Sequence, residues 1–166
     1  MRAETLSYQL EQLRDKLLAH NLMVTVAESC TGGLIASAMT SLAGSSQWFD
    51  RGFVTYSNAA KTEMLGVSTA VLTAYGAVSE QTAAAMAEGA LANSHASISV
   101  AVTGIAGPDG GTAPKPVGTV CLAWSDRQTT RTTRVLFQGD RASIRDQTVV
   151  MAIQGLLDLL ESTGGH

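Results

Sequence analysis

The sequence predicts an α/β fold: a three-layer α/β/α sandwich around a mixed, mostly parallel sheet of about five strands. Three observations predict it. Apolar, strand-like runs alternate with helical periodicity for the first two-thirds of the chain, the order expected of parallel β-α-β units. The last two strand-like runs then follow each other closely and suit an antiparallel hairpin, which makes the sheet mixed. Ala83, Met86, Ala87, Ala90 and Leu91 form a stripe of small apolar side chains at helical spacing, which lets a helix approach a sheet closely.

Taken in order, Leu6, Leu10, Leu13 and Leu17 repeat at helical spacing, and Asn21 marks a stop. Residues 22–26 read as a buried strand and residues 34–39 as a helix. Residues 44–50 read as a loop or turn, 52–56 as a second strand, and 58–65 as a helix with Asn58 as its cap and Gly66 closing it. Ser79 reads as an N-cap, with Glu80 favourably placed in the first turn. Residues 98–103, 119–124 and 132–137 supply three more strands. A long helix begins near Asp140 and carries Ile144, Thr148, Met151, Gly155 and Leu159 along one side. No repeat, linker or charge block divides the chain, so a single domain over 1–166 is expected.

Composition narrows the function. The chain is 45% hydrophobic and only 15% charged, against about 25% charged in an average domain. A surface this lean suits either burial in a homodimer or a compact alanine-rich monomer. The net charge of −3 and the absence of a basic stripe argue against nucleic acid as a partner. No run approaches the roughly 18 apolar residues of a membrane span, and the two cysteines, Cys30 and Cys121, form no disulfide framework. A cytoplasmic protein with no membrane partner is expected. His20, His95 and His166 are scattered and offer no metal spacing, so no metal and no cofactor are expected.

Three predicted strands end on residues with reactive or polar side chains: Ser29, Tyr56 and Thr103. In open α/β sheets, ligands gather at the carboxyl ends of the parallel strands. Ser29 and Cys30 sit in the run Ala-Glu-Ser-Cys-Thr-Gly-Gly, where a strand turns into a helix N-terminus. A hydroxyl or thiol there can attack a carbonyl, with N–H groups of Cys30, Thr31, Gly32 and Gly33 near the resulting oxyanion. By local rules alone, the same serine is a helix cap. Lys61 falls at the start of a helix, where the dipole opposes a cation. Bringing a lysine from roughly 10.4 to near neutrality, as a general base needs, takes about 4 kcal/mol, within the reach of full burial. Tyr56 offers a hydroxyl to relay a proton or hold the lysine.

The segment from Gly104 to Gly118 holds all three prolines and five of the sixteen glycines. Such a stiff loop can cradle an anion or simply join two strands. It is neither a Walker A loop nor a dinucleotide fingerprint. Arg141 opens the last helix, where a cation is again misplaced; a bound phosphate or an ion pair with Asp140 accounts for it equally well. Ser46, in Gly-Ser-Ser, reads as a turn hydroxyl or a ligand contact.

Taken together and in order, residues 27–33, 44–46, 52–58 with Lys61, 76–79, 103–111, 116–120 and 139–141 closely resemble the CinA C-terminal domain family, the nicotinamide-nucleotide amidases. The resemblance runs from about residue 5 to 160. It implies hydrolysis of the carboxamide of nicotinamide mononucleotide to nicotinate mononucleotide and ammonia, by a serine–lysine mechanism without metal or organic cofactor. It implies Ser29 as nucleophile, Lys61 as base and Tyr56 as helper. Ser46, Thr103 with Gly104, and Arg141 are implied to contact the pyridine nucleotide or support the site. Many family members carry a further amino-terminal domain; this chain reads as the stand-alone form. Two rival readings stay open: an amidase built on Cys30 with Glu28 and Lys61, and a non-catalytic pyridine-nucleotide-binding module.

Overall fold

The computed structural model describes residues 2–164, with side chains for 3–162; His166 lies outside the described residues. It is a three-layer α/β structure. A five-stranded sheet runs in the order β2-β1-β3-β4-β5, formed by β1 (Val24–Glu28), β2 (Phe49–Val54), β3 (Ile98–Gly104), β4 (Thr119–Ser125) and β5 (Thr130–Leu136). β1 pairs in parallel with β2 and β3, whereas β4 is antiparallel to both β3 and β5. The helices are α1 (Arg2–Ala19), α2 (Leu34–Thr40), α3 (Asn58–Leu65), α4 (Thr69–Tyr75), α5 (Glu80–Ala92) and α6 (Arg141–Gly164), with a single 3-10 turn at Ser45–Gln47. Among the described residues, no helix is long and apolar enough to cross a membrane.

The two faces of the sheet differ in side-chain size, and the period-2 alternation of the strands sets the difference. Val24, Val26, Val100, Val102, Val120, Leu122 and Trp124 face one layer, where Leu10, Leu13 and Leu17 of α1, Ile35 and Met39 of α2, and Ile153 and Leu156 of α6 close the core. The other face carries Ala27, Ala101, Cys121 and Ala123, against Ala83, Met86, Ala87 and Ala90 of α5 and Leu65 at the end of α3. Small residues on both sides bring α5 close to the sheet. Ser99 uses that closeness to donate its hydroxyl to the Ala87 carbonyl at 2.8 Å.

Close approach also fixes Gly155 on α6. A Cβ there would meet the Trp124 ring at 2.0 Å, while the indole N–H donates to the Ala152 carbonyl at 2.9 Å. Gly155→Ala is expected to cost about 2 kcal/mol or more by overpacking and to shift the tryptophan emission. Urea unfolding followed by fluorescence checks this, and an unchanged midpoint would contradict the packing.

Local differences from the sequence reading have identifiable causes. β1 starts two residues later than expected, because the Leu22 N–H closes the preceding turn on the Leu17 carbonyl and the Met23 carbonyl accepts from Ser97. β2 starts earlier than expected and ends at Val54; the Thr55 N–H still donates to the Glu28 carbonyl at 2.8 Å, while the Thr55 and Tyr56 carbonyls turn to Lys61. The cap of α3 is Ser57, whose hydroxyl accepts from the Ala60 N–H, and Asn58 is the first helical residue. Helix α4 has no counterpart in the sequence reading; none of its residues is fully buried, and Leu72 packs half-buried against the α5 layer. Asn21, at φ 54, ends α1 as expected, and Ser79 caps α5 by accepting from the Thr82 N–H. Because β1, β2 and β3 run parallel, their carboxyl ends bring Ser29, Thr55, Tyr56, Thr103 and Gly104 to one edge of the sheet.

Candidate active site

The turn after β1 is held by its own glutamate. The Glu28 side chain is fully buried, and Oε1 accepts from the Thr31 hydroxyl at 2.5 Å, the Gly33 N–H at 3.2 Å and the Ile35 N–H at 3.0 Å. Its Oε2 accepts from the Ala36 N–H at 3.0 Å. A buried carboxylate needs such donors to offset its desolvation, and here they are the open N–H groups of the helix that follows. Gly32 and Gly33 turn the chain with φ of 57° and 109°, left-handed values that favour glycine. The Gly32 N–H closes back on the Ser29 carbonyl at 3.1 Å.

Ser29 and Lys61 meet beside this turn. The Lys61 Nζ donates to Ser29 Oγ at 3.0 Å, to the Thr55 carbonyl at 3.1 Å and to the Tyr56 carbonyl at 3.2 Å. Ser29 Oγ also lies 3.3 Å from the Tyr56 carbonyl. Lys61 is only 1% exposed, and no carboxylate pairs with it among the described residues. Burial pushes its pKa below the ordinary value. The sequence put Lys61 in the first helical turn; the end of β2 supplies the carbonyls that aim its amine.

A cavity of about 170 Å³ opens over the pair, lined also by Cys30, Tyr56, Asn58, Ala77, Val78, Thr103, Gly104, Ala106 and Arg141. Thr103 is buried and donates its hydroxyl to the Ala77 carbonyl at 2.9 Å. Gly104 is required by the neighbouring strand, since a Cβ would meet the Thr119 carbonyl oxygen at 2.9 Å. Arg141 reaches across the mouth, donating to the Gly107 carbonyl at 2.7 Å and, more weakly, to the Tyr56 hydroxyl at 3.4 Å. The stiff loop is tied at further points: Lys115 donates to the Tyr75 carbonyl and Arg134 to the Pro114 carbonyl. Larger hollows beside α1 and α6, about 310 and 520 Å³, are mainly apolar and lie away from the Ser29–Lys61 pair.

Several expectations change. Ser46 is exposed in the 3-10 turn before β2; the parallel register puts it at the amino ends of the strands, the opposite edge from Ser29. A five-residue strand separates the two edges by about 17 Å. Thr31 is fully buried and bonded to Glu28, and the N–H groups of Gly32 and Gly33 already have acceptors. Among the described residues, no other residue accepts from the N–H of Cys30 or Thr31. The Tyr56 hydroxyl faces Arg141, and it is the Tyr56 backbone carbonyl that touches the lysine. Asp140 caps α6 through the Ser143 N–H at 2.9 Å and forms no ion pair with Arg141.

Cys30 belongs to the hydrophobic core, and burial pushes its thiol up to about 12. Cys121 is buried as well, with its pKa also raised by burial. Iodoacetamide near pH 8 is therefore expected to leave both cysteines of the native protein unlabelled and to label both after denaturation, as read by intact mass. Native labelling of Cys30 would contradict its burial.

Arg145 escaped the sequence reading. Its Nε donates to the Cys30 carbonyl at 3.2 Å and an Nη to the Thr31 carbonyl at 3.1 Å. The only local signal was its spacing, four residues after Arg141 and so on the same helical face.

A family model of the CinA C-terminal domain matches residues 7–160. The chain is 53% identical over 148 residues to the nicotinamide-nucleotide amidohydrolase PncC of Pseudomonas putida, covering 89% of this chain and 92% of that protein. It is 50% identical over 147 residues to the protein of the same name from Escherichia coli K12, covering 88% and 89% respectively. Among solved structures, the competence/damage-inducible protein CihA of Agrobacterium tumefaciens superposes with a TM-score of 0.91 at 50% identity, covering 93% of this chain and 95% of that one.

Proposed function

Because the chain belongs to the CinA C-terminal domain family, we propose that it is a nicotinamide-nucleotide amidohydrolase whose nucleophile is Ser29 and whose base is Lys61. Hydrolysis of the carboxamide of nicotinamide mononucleotide yields nicotinate mononucleotide and ammonia. The observation that carries the mechanism is the 3.0 Å contact between a serine hydroxyl and a buried lysine amine that has no carboxylate partner among the described residues. Neutral Lys61 takes the Ser29 proton as Oγ attacks the amide carbon. The carbonyl oxygen becomes an oxyanion, which the N–H of Cys30, at the cavity wall, receives. The C–N bond breaks, Lys61 returns its proton to the departing nitrogen, and ammonia leaves an acyl ester on Ser29. Water then gives a proton to Lys61, attacks the ester carbon and releases the acid, and Lys61 restores the Ser29 hydroxyl.

Two carbonyls, from Thr55 and Tyr56, hold the amine on Ser29 in the resting site. Arg141 and the loop beginning at Gly104 frame the mouth, and the Arg141 N–H donors not used on Gly107 and Tyr56 are suited to the phosphate. Binding there holds the reacting carbon from a distance. Two observations weigh against the Cys30 reading: burial pushes the thiol up to about 12, and Glu28 is engaged with the N–H groups before and within α2. Ammonia release on incubation with nicotinamide mononucleotide tests the proposal. Tight binding of the mononucleotide without ammonia release would favour the binding-module reading instead.

A further inference from the structure

We propose that Arg145 is a positioning residue for this reaction, one that aims the Cys30 N–H by holding the turn that follows Ser29. The inference rests on the reading of Ser29 as nucleophile. In a trans peptide the N–H points opposite to the C=O. Arg145 holds the Thr31 carbonyl, so it fixes the N–H on the far side of that plane, which belongs to Gly32 and closes back on the Ser29 carbonyl. The Ser29 carbonyl held in this way sets the plane whose N–H belongs to Cys30, a residue that lines the cavity. A second bond from Arg145, to the Cys30 carbonyl, pins the plane between the two.

Glu28 restrains the turn from its other polar groups, taking the Thr31 hydroxyl and the Gly33 N–H. Between them, the two side chains and the local turn engage the neighbouring backbone groups and leave the Cys30 N–H as the donor at the cavity. A guanidinium on the Thr31 carbonyl also polarises that peptide, and the chain of hydrogen bonds through Gly32 and Ser29 passes the effect to the Cys30 N–H. The arrangement acts on the oxyanion, formed only during reaction, so it belongs to kcat more than to ground-state binding.

Arg145→Ala is expected to lower kcat about 100-fold, the scale of losing one oxyanion donor, with KM within about threefold. Guanidinium ion added below denaturing concentrations is expected to restore part of kcat, and Arg145→Lys, able to keep one of the two bonds, to fall between. Glu28→Gln serves as a control: its amide sets donors against donors in the turn, and its loss of kcat is not rescued by guanidinium. Unchanged kcat in Arg145→Ala would overturn the assignment. So would a loss of kcat with matching loss of thermal stability and no rescue, or guanidinium rescue of both variants. Activity retained by Ser29→Ala would instead overturn the underlying serine reading, a distinct result.

Discussion

Replacing Ser29 with alanine is expected to lower kcat on the order of 10⁴-fold or more, whereas Cys30→Ala keeps kcat within about fivefold. The contrast between neighbours follows from where the turn directs each side chain. Ser29 Oγ lies against the Lys61 amine, so its removal takes away the proposed nucleophile. The Cys30 side chain lies in the core, with its thiol pushed up to about 12. Its truncation costs about 1 kcal/mol of stability through a small cavity and leaves the backbone N–H in place. Steady-state ammonia release from both variants, with melting temperatures alongside, makes the comparison. An inactive, folded Cys30→Ala with an active Ser29→Ala would reverse the assignment.

Lys61→Met is expected to abolish turnover by on the order of 10³-fold or more, since it removes the proposed base, the amine in contact with Ser29. In the wild-type protein, kcat/KM is expected to rise with pH as Lys61 deprotonates, with a midpoint below the ordinary lysine value because burial disfavours the cation. The same shift governs stability. Between the lowered folded pKa and the unfolded one, the unfolded chain holds a proton that the folded chain does not, so stability rises with pH, by ~1.4 kcal/mol per pH unit where the difference is a full proton. Below the folded value both states are protonated and this contribution is flat. The stability of the wild type relative to Lys61→Met is therefore expected to climb only within that window, as read by urea unfolding at a series of pH values. A difference that does not change up to the unfolded lysine pKa would mean that the amine is not depressed.

Much of the fold was legible because the signals are local and periodic. The alternation of strand-like runs with helical periodicity, with the small-residue stripe of α5, is enough to predict a mixed sheet with helices on both faces. What escaped had weak local signals or depended on distant partners. Helix α4 buries no residue fully. The two-residue displacement of β1 follows from bonds to Leu17 and Ser97 that propensity does not report. Ser46 was drawn to the site by resemblance, and strand direction sends it to the far edge.

The candidate site divides in the same way. Residue types and their placement at strand ends and helix starts were readable for Ser29, Lys61, Tyr56, Thr103 and Arg141. Their roles within the geometry were not. Sequence by itself determined the chemistry available: a hydroxyl, an amine, and a stiff loop rich in glycine and proline, because these follow from side-chain identity and local backbone preference. Only the tertiary structure decided which groups meet. It set Lys61 on Ser29 through carbonyls released by the end of β2, turned Cys30 inward, and brought Arg145 back from more than a hundred residues away to hold the turn. Those outcomes depend on desolvation and on hydrogen bonds closed over long sequence separations, and neither is encoded in any short stretch of chain.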